Sequence, residues 1–193
     1  MFQIRIHGRS GQGNVTAAGI LSVAAFFEGR HAQAFPSFGL QHMGAPVVAF
    51  CRIADKEIRL REPVREPDCL IVQEPTLIRA VDVCAGLRPG GYLVVNTNEA
   101  FAEAHIQAVA DNLPKGHAVC VPATALARKH AGGARPNAAL LGSFAALTGL
   151  IRLDSVTRAI GEALPREVGA ANIAAAIEAY EFVMTQENPA SAA

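Results

Sequence analysis

The sequence predicts an α/β domain: a mostly parallel sheet with helices on both faces, an antiparallel edge element near residues 47–60, and a helical C-terminal third. Three observations carry this. The runs Cys69-Leu70-Ile71-Val72 and Tyr92 to Asn96 are apolar at successive positions, as in strands buried on both faces of a parallel sheet. Such runs alternate with segments of helical spacing, the pattern of βαβ units. After Gly132-Gly133 the strand-like runs stop and three helical segments follow one another.

Taken in order, Phe2 to His7 reads as a buried strand that enters the glycine-rich turn Gly8-Arg9-Ser10-Gly11-Gln12-Gly13. Val15 to Phe27 has helical spacing, with the small residues Ala17, Ala18, Ala24 and Ala25 suited to close packing on a sheet. Asn14 or the glycines before it start this helix and Gly29 ends it. His31 to Phe38 is extended, and Pro36 restricts it to an edge because proline cannot donate to a ladder. Gly39 to Pro46 is a loop, Val47 to Ile53 a strand, and Glu57 to Leu60 is expected to return antiparallel to it. Asp68 to Gln73 is the next strand. Glu74-Pro75 opens a helix over Thr76 to Ala85, with proline near its first position. Tyr92 to Asn96 and Ala118 to Val121 are strands, followed by helices over Glu99 to Asn112 and Ala123 to His130. The last third holds helices over Asn137 to Thr148, Asp154 to Leu164 with Asp154 as N-cap, and Val168 to Met184. Together these make one Rossmann-like domain over residues 1–186 and a frayed tail, 187–193.

Composition narrows the function. The chain is 51% hydrophobic and 18% charged, apolar enough to predict that partners cover part of its surface. A net charge of zero points away from nucleic acid and from anionic membranes. No apolar run approaches the roughly 20 residues of a membrane span. The first strand begins at residue 2 with Arg5 inside it, so no signal peptide is visible. Cys51, Cys69, Cys84 and Cys120 show no C-x-x-C and no zinc or iron–sulfur spacing, and read as reduced thiols of a cytoplasmic protein.

Three stretches are candidates for chemistry. In the first, strand, glycine turn and helix offer backbone N–H groups and a helix N-terminus to an anion, with a phosphate cradled by the amides of Ser10 to Asn14 and aided by Arg9. The spacing G-x-x-G-x-G is neither the dinucleotide fingerprint, since Thr16 stands where its last glycine would fall, nor a P-loop. It could equally be a tight connection that binds nothing. In the second, Ala34 to Pro46, the aromatics Phe35 and Phe38 flank Pro36-Ser37 and precede Gly39; the loop packs on its own domain or meets a partner or ligand. In the third, Ala134 to Gly142, Asn137 caps the helix that follows or turns toward a ligand at the first loop. The six histidines lie singly, and no nucleophile–base pairing is legible.

Side by side, these stretches resemble the gamma subunit, or gamma domain, of the 2-oxoacid:ferredoxin oxidoreductases of the pyruvate-synthase type. That family opens with a strand, Gly-Arg-Gly-Gly-Gln-Gly and an alanine-rich helix, matched by Gly8 to Gly13 and Val15 to Ala18. Its phenylalanine-proline-serine-phenylalanine-glycine loop and Gly-Ala-Pro-Val match Phe35 to Gly39 and Gly44 to Val47. Pro67-Asp68 and Asn137 to Gly142 match its Pro-Asp strand and its Asn–Leu–Gly helix, in order over about residues 2 to 180.

The resemblance implies a complex that oxidatively decarboxylates a 2-oxoacid, transfers the acyl group to coenzyme A and passes electrons to ferredoxin or a nicotinamide-linked acceptor. It implies thiamine diphosphate and 4Fe-4S clusters on partner subunits. For this chain it implies coenzyme A contact through Gly8, Arg9, Ser10, Gly11, Gln12, Gly13, Asn14, Phe38, Gly39 and Asn137, together with packing against the thiamine-binding and iron–sulfur subunits, and no catalytic residue or metal ligand of its own. A purely structural subunit, or a free-standing nucleotide-binding reductase, are the alternatives. Two departures stand out. Ser10 replaces a family glycine and is expected to raise the cost of any positive φ there. Leu40-Gln41-His42-Met43 replaces a segment that often carries glutamate and arginine, which bears on substrate or coenzyme A preference.

Overall fold

The computed structural model describes residues 1–37, 44–133 and 135–187. Among these, six strands form one sheet in the order β2-β3-β1-β4-β5-β6. The strands are β1 (Phe2–Arg9), β2 (His31–Pro36), β3 (Pro46–Ala54), β4 (Cys69–Val72), β5 (Tyr92–Asn96) and β6 (Ala118–Val121). The helices are α1 (Asn14–Phe27), α2 (Gln107–Asp111), α3 (Ala123–Ala131), α4 (Asn137–Thr148), α5 (Leu153–Ala163) and α6 (Arg166–Glu187). β1, β4, β5 and β6 are parallel neighbours, with Ile6 beside Ile71 and Ile71 beside Val94. The predicted α/β class and the helical last third are therefore present.

The antiparallel element has different partners from those expected. β3 runs opposite to both β1 and β2, with Ile6 facing Ala49 and Phe35 facing Phe50. Glu57 to Leu60 forms no strand, because both edges of β3 are already paired. The segment with Pro36 supplies the edge strand instead, where its missing N–H does least harm.

One face of the sheet carries the main core. Ile4, Ile6, Cys51, Ile53, Ile71, Val94 and Val121 lie beneath α1, α4, α5 and α6. α4 is apolar on every side and is enclosed between the sheet and α6. On the opposite face, Leu70, Val72, Leu93 and Val95 pack against Leu77, Val83, Ala104 and Ile106. This layer is thinner than predicted. The helix expected over Thr76 to Ala85 is a 3-10 turn, Pro75–Arg79, since Thr76, Ile78, Val81 and Val83 are β-branched and only Leu77 and Val83 are buried. The helix expected over Glu99 to Asn112 shrinks to α2, because His105 adopts φ 60 and breaks the run. Asp154 is not an N-cap either: Arg152 occupies that place and Asp154 lies in the first turn of α5, where its charge favours the helix dipole.

The half of this second face beneath β1 and β3 carries buried polar groups, Arg5, His7 and Arg52. Arg5 Nε donates to His7 Nε2 at 2.9 Å. Its Nη2 donates to the carbonyls of Val83, at 3.0 Å, and Ala85, and its Nη1 to those of Val64 and Arg65, each at 3.4 Å. Burial first, and the Arg5 charge second, push the His7 imidazole down to about 4. Because His7 is neutral in the fold but takes a proton near pH 6.5 when unfolded, the unfolded state binds more protons between those values. Stability therefore falls as pH drops from about 6.5 to about 4, by about 3 kcal/mol for this group. Urea unfolding at pH 7 and pH 4.5 should show a drop that His7→Gln largely removes; an equal drop in the variant would clear His7 of the effect.

Candidate functional site

The glycine turn stands at the C-terminal end of β1, next to β4, where chain connections diverge to opposite sides of the sheet. Such a switch point is the usual ligand crevice of open α/β sheets. Gly11 and Gly13 have φ 90 and 83, conformations that a side chain would strain. Gly13 is the N-cap of α1, and among the described residues no side chain caps that helix. The turn is closed from within: Gln12 N–H donates to the Arg9 carbonyl at 3.1 Å, and Arg9 N–H donates to Gln12 Oε1 at 2.7 Å. Ser10 N–H donates to the Ala45 carbonyl at 2.9 Å, tying the turn to the start of β3. The amides of Ser10 and Gln12 are thus already taken, which leaves those of Gly11, Gly13 and the first turn of α1 as the ones suited to an anion. Ser10 is not at positive φ, so the strain expected from its replacing a glycine does not arise.

Two of the residues singled out from the sequence serve the turn rather than its surface. Gly8 has no Cβ because one would collide with Asn14 Oδ1. Asn14 is buried, donates from Nδ2 to the Val47 carbonyl at 3.2 Å and accepts at Oδ1 from Gln73 Nε2. Gln12 Nε2 donates to Glu74 Oε2 at 2.7 Å, and Thr76 Oγ1 donates to Glu74 Oε1 at 2.7 Å. Burial opposes ionisation of Glu74, but hydrogen bonds from Thr76 and Gln12 and the Arg9 charge outweigh it and hold its carboxyl below the usual range. Arg9 donates to Thr76 Oγ1 and to the Gly44 carbonyl, both at 3.0 Å.

Asn137 is the first residue of α4; the N-cap is Pro136, so Asn137 does not cap its helix. Its Nδ2 lies 2.8 Å from where a Cβ on Gly13 would stand, which brings α4 against the glycine turn. Between them opens a cleft of about 680 Å3, lined by Arg9, Gly11, Gly13, Arg135, Asn137 and Asn172 among others. Two arginines line it and, among the described residues, no carboxylate does. Of the second stretch, Phe35 packs tilted against Phe50, with ring centres 5.1 Å apart, under the Arg52 guanidinium and on its own domain. Phe38 and Gly39, with Leu40 to Met43, lie outside the described residues.

Sequence reasoning passed over Arg135, Gln73 and Glu74 as site residues. Gln73 and Glu74 follow directly on a parallel strand, and polar residues at that position are the signal that could have found them. A second cleft, of about 730 Å3, lies on the other side of Gln12 and crosses the C-terminal ends of β4, β5 and β6. Among the described residues no cluster of three His, Cys, Asp or Glu could hold a metal ion, and no helix is long and apolar enough to cross a membrane.

Comparison with known proteins shows the family. The family model described as pyruvate ferredoxin/flavodoxin oxidoreductase matches residues 3–182. The chain is 46% identical over 189 residues to the pyruvate/ketoisovalerate oxidoreductases common subunit gamma of Thermococcus kodakarensis, spanning 97% of this chain and 100% of that protein. It is 44% identical over 185 residues to pyruvate synthase subunit PorC of Methanocaldococcus jannaschii, spanning 95% and 98%. The crystal structure of pyruvate oxidoreductase subunit PORC of Thermotoga maritima superposes with a TM-score of 0.78 at 34% identity, over 93% of this chain and 95% of that one. The chain belongs to the pyruvate ferredoxin/flavodoxin oxidoreductase family, as the gamma subunit of a multi-subunit 2-oxoacid oxidoreductase.

Proposed function

We propose that this subunit holds coenzyme A by its phosphates in the cleft between the glycine turn and α4. In this reading the complex oxidatively decarboxylates a 2-oxoacid and hands the acyl group to the coenzyme A thiol, with ferredoxin or a nicotinamide-linked subunit as acceptor. Thiamine diphosphate, which supplies the carbanion chemistry of decarboxylation, and the 4Fe-4S clusters belong to the partner subunits. The role of this chain is to bind and orient. The observation that carries the reading is the lining of the cleft: Arg135 lines it with no carboxylate among the described residues, Arg9 lines it while its guanidinium donates to Thr76 Oγ1 and the Gly44 carbonyl, and the N-terminus of the 14-residue α1 opens beside it. Guanidinium groups and helix-terminal amides together favour a phosphate over a neutral group.

In the assembled complex, Arg9→Ala with Arg135→Ala should raise the apparent KM for coenzyme A about tenfold or more, as expected for lost charge-assisted hydrogen bonds. Gly11→Val should do the same by straining the turn. The KM for the 2-oxoacid and the subunit composition should stay as in the parent. Unchanged coenzyme A kinetics in all the variants would sink the proposal and leave the subunit a structural one.

A further inference from the structure

The second cleft differs in kind from the first. Its volume of about 730 Å3 falls within the range of about 300–1,000 Å3 usual for small-molecule sites. Arg79 and Arg128 in its lining face three glutamates, Glu74, Glu99 and Glu103, so it lacks the cationic bias that suits a phosphate. Its floor is made of side-chain amides, and a chain of hydrogen bonds sets which way each one faces. The Val47 carbonyl can only accept, so Asn14 must present Nδ2 to it, which leaves Asn14 Oδ1 facing Gln73. Gln73 must answer with Nε2, and its own Oε1 is left at the end of the relay.

Turning the amides over does not help. With Gln73 reversed, two oxygens face each other; with both reversed, Asn14 Oδ1 faces the Val47 carbonyl. The neighbours are satisfied: Asn96 Nδ2 donates to the Gln73 carbonyl and to Thr124 Oγ1, both at 2.8 Å, and Asn96 Oδ1 accepts from Thr124 N–H at 3.0 Å. Gln73 itself is 1% exposed, and among the described residues its Oε1 is the buried side-chain N or O atom without a hydrogen-bond partner. Buried acceptors are almost always paired, and an orphan is unfavourable until a donor reaches it.

We infer that this cleft is a second subsite for the same ligand, in which Gln73 Oε1 accepts a hydrogen bond from a neutral N–H or O–H donor. The inference rests on the coenzyme A reading. That molecule carries such donors on either side of its pyrophosphate, on the adenosine and on the pantetheine arm. Gln12 lines this cleft while its neighbours Gly11 and Gly13 line the other, so a ligand held by phosphate at the turn has one arm beside Gln73.

The test uses the assembled complex and calorimetric titration with coenzyme A, adenosine 3′,5′-bisphosphate and pantetheine. Gln73→Leu should weaken coenzyme A about three- to tenfold, the worth of one hydrogen bond to a buried acceptor. It should also weaken whichever fragment carries the donor, and leave the other unchanged, which separates the adenosine arm from the pantetheine arm. In the parent complex, coenzyme A should slow amide exchange over residues 73–76 and 96–99, a readout that does not depend on the variant folding. If Gly11→Val weakens coenzyme A while Gln73→Leu does not, and those amides exchange at the same rate with and without ligand, the subsite assignment is overturned and the coenzyme A reading stands. If neither variant alters coenzyme A binding, both fail together.

Discussion

Arg5→Ala should lower the stability of the chain by at least about 3 kcal/mol, because it strips hydrogen bonds from several carbonyls at once at about 1–3 kcal/mol for each acceptor left buried and unpaired. The guanidinium is buried with no carboxylate bonded to it among the described residues; its partners there are the His7 ring and the carbonyls of Val64, Arg65, Val83 and Ala85. Burial lowers its pKa from the ordinary value. It therefore acts as a staple that fastens two connecting segments, around residues 64–65 and 83–85, onto β1. Urea unfolding should report the loss, and amide exchange should rise over those segments in the variant. Arg5→Lys keeps the charge but presents a compact ammonium in place of a planar fork, so it should recover only part of the stability. A difference within about 0.5 kcal/mol of the parent for Arg5→Ala would be the size of an ordinary surface change and would refute the staple.

Gly142→Ala should cost about 1–3 kcal/mol, and Gly142→Val more, through overpacking at the crossing of α4 and α6. A Cβ at this position would press into the Ala176 carbonyl oxygen and stand 2.9 Å from the Ala176 Cα. The obstacle is helix backbone, which cannot swing aside as a side chain would. Ala175, Ala176 and Ala179 on the facing helix are all buried, so the two helices approach along small residues on both sides. Gly19→Ala in α1 supplies the matched comparison. A Cβ there meets nothing within 4 Å, and the change should stabilise by about 0.5–1 kcal/mol through helix propensity alone. If both alanine variants shift the urea midpoint in the same direction, the close approach at Gly142 is not what requires glycine.

The fold class was legible because it depends on periodicity. Buried parallel strands such as Cys69–Val72 and the all-apolar α4 announce themselves by composition. The second face was misread where periodicity fails. The segments before and after β5, residues 75–91 and 97–112, cover the sheet with few regular elements, and the turn to positive φ at His105 has no compositional mark. Arg5 inside an apolar strand was visible, but the carbonyls that hold it come from segments roughly 60 to 80 residues away, which no local pattern encodes. At the site, the glycine turn was found because positive φ selects glycine. Asn137 was set beside a helix start, yet its packing on Gly13 is a tertiary fact. Gln73 and Arg135 are polar residues of ordinary appearance whose meaning depends on which cleft wall they join.

The reversal at β3 brings the ends of two strands back to the glycine turn. β2 ends at Pro36 and β3 begins at Pro46 at the same end of the sheet as the glycine turn, with Arg9 paired opposite Pro46. Ser37 N–H is held by the Val48 carbonyl at 2.7 Å and the Ala45 carbonyl by Ser10 N–H at 2.9 Å, so Ser37 and Ala45 are both anchored at the end of the sheet that carries the glycine turn. Sequence change between these anchors leaves the register of every strand as it was. The pairings that set the register of β2 and β3 are all made by residues outside positions 38–43.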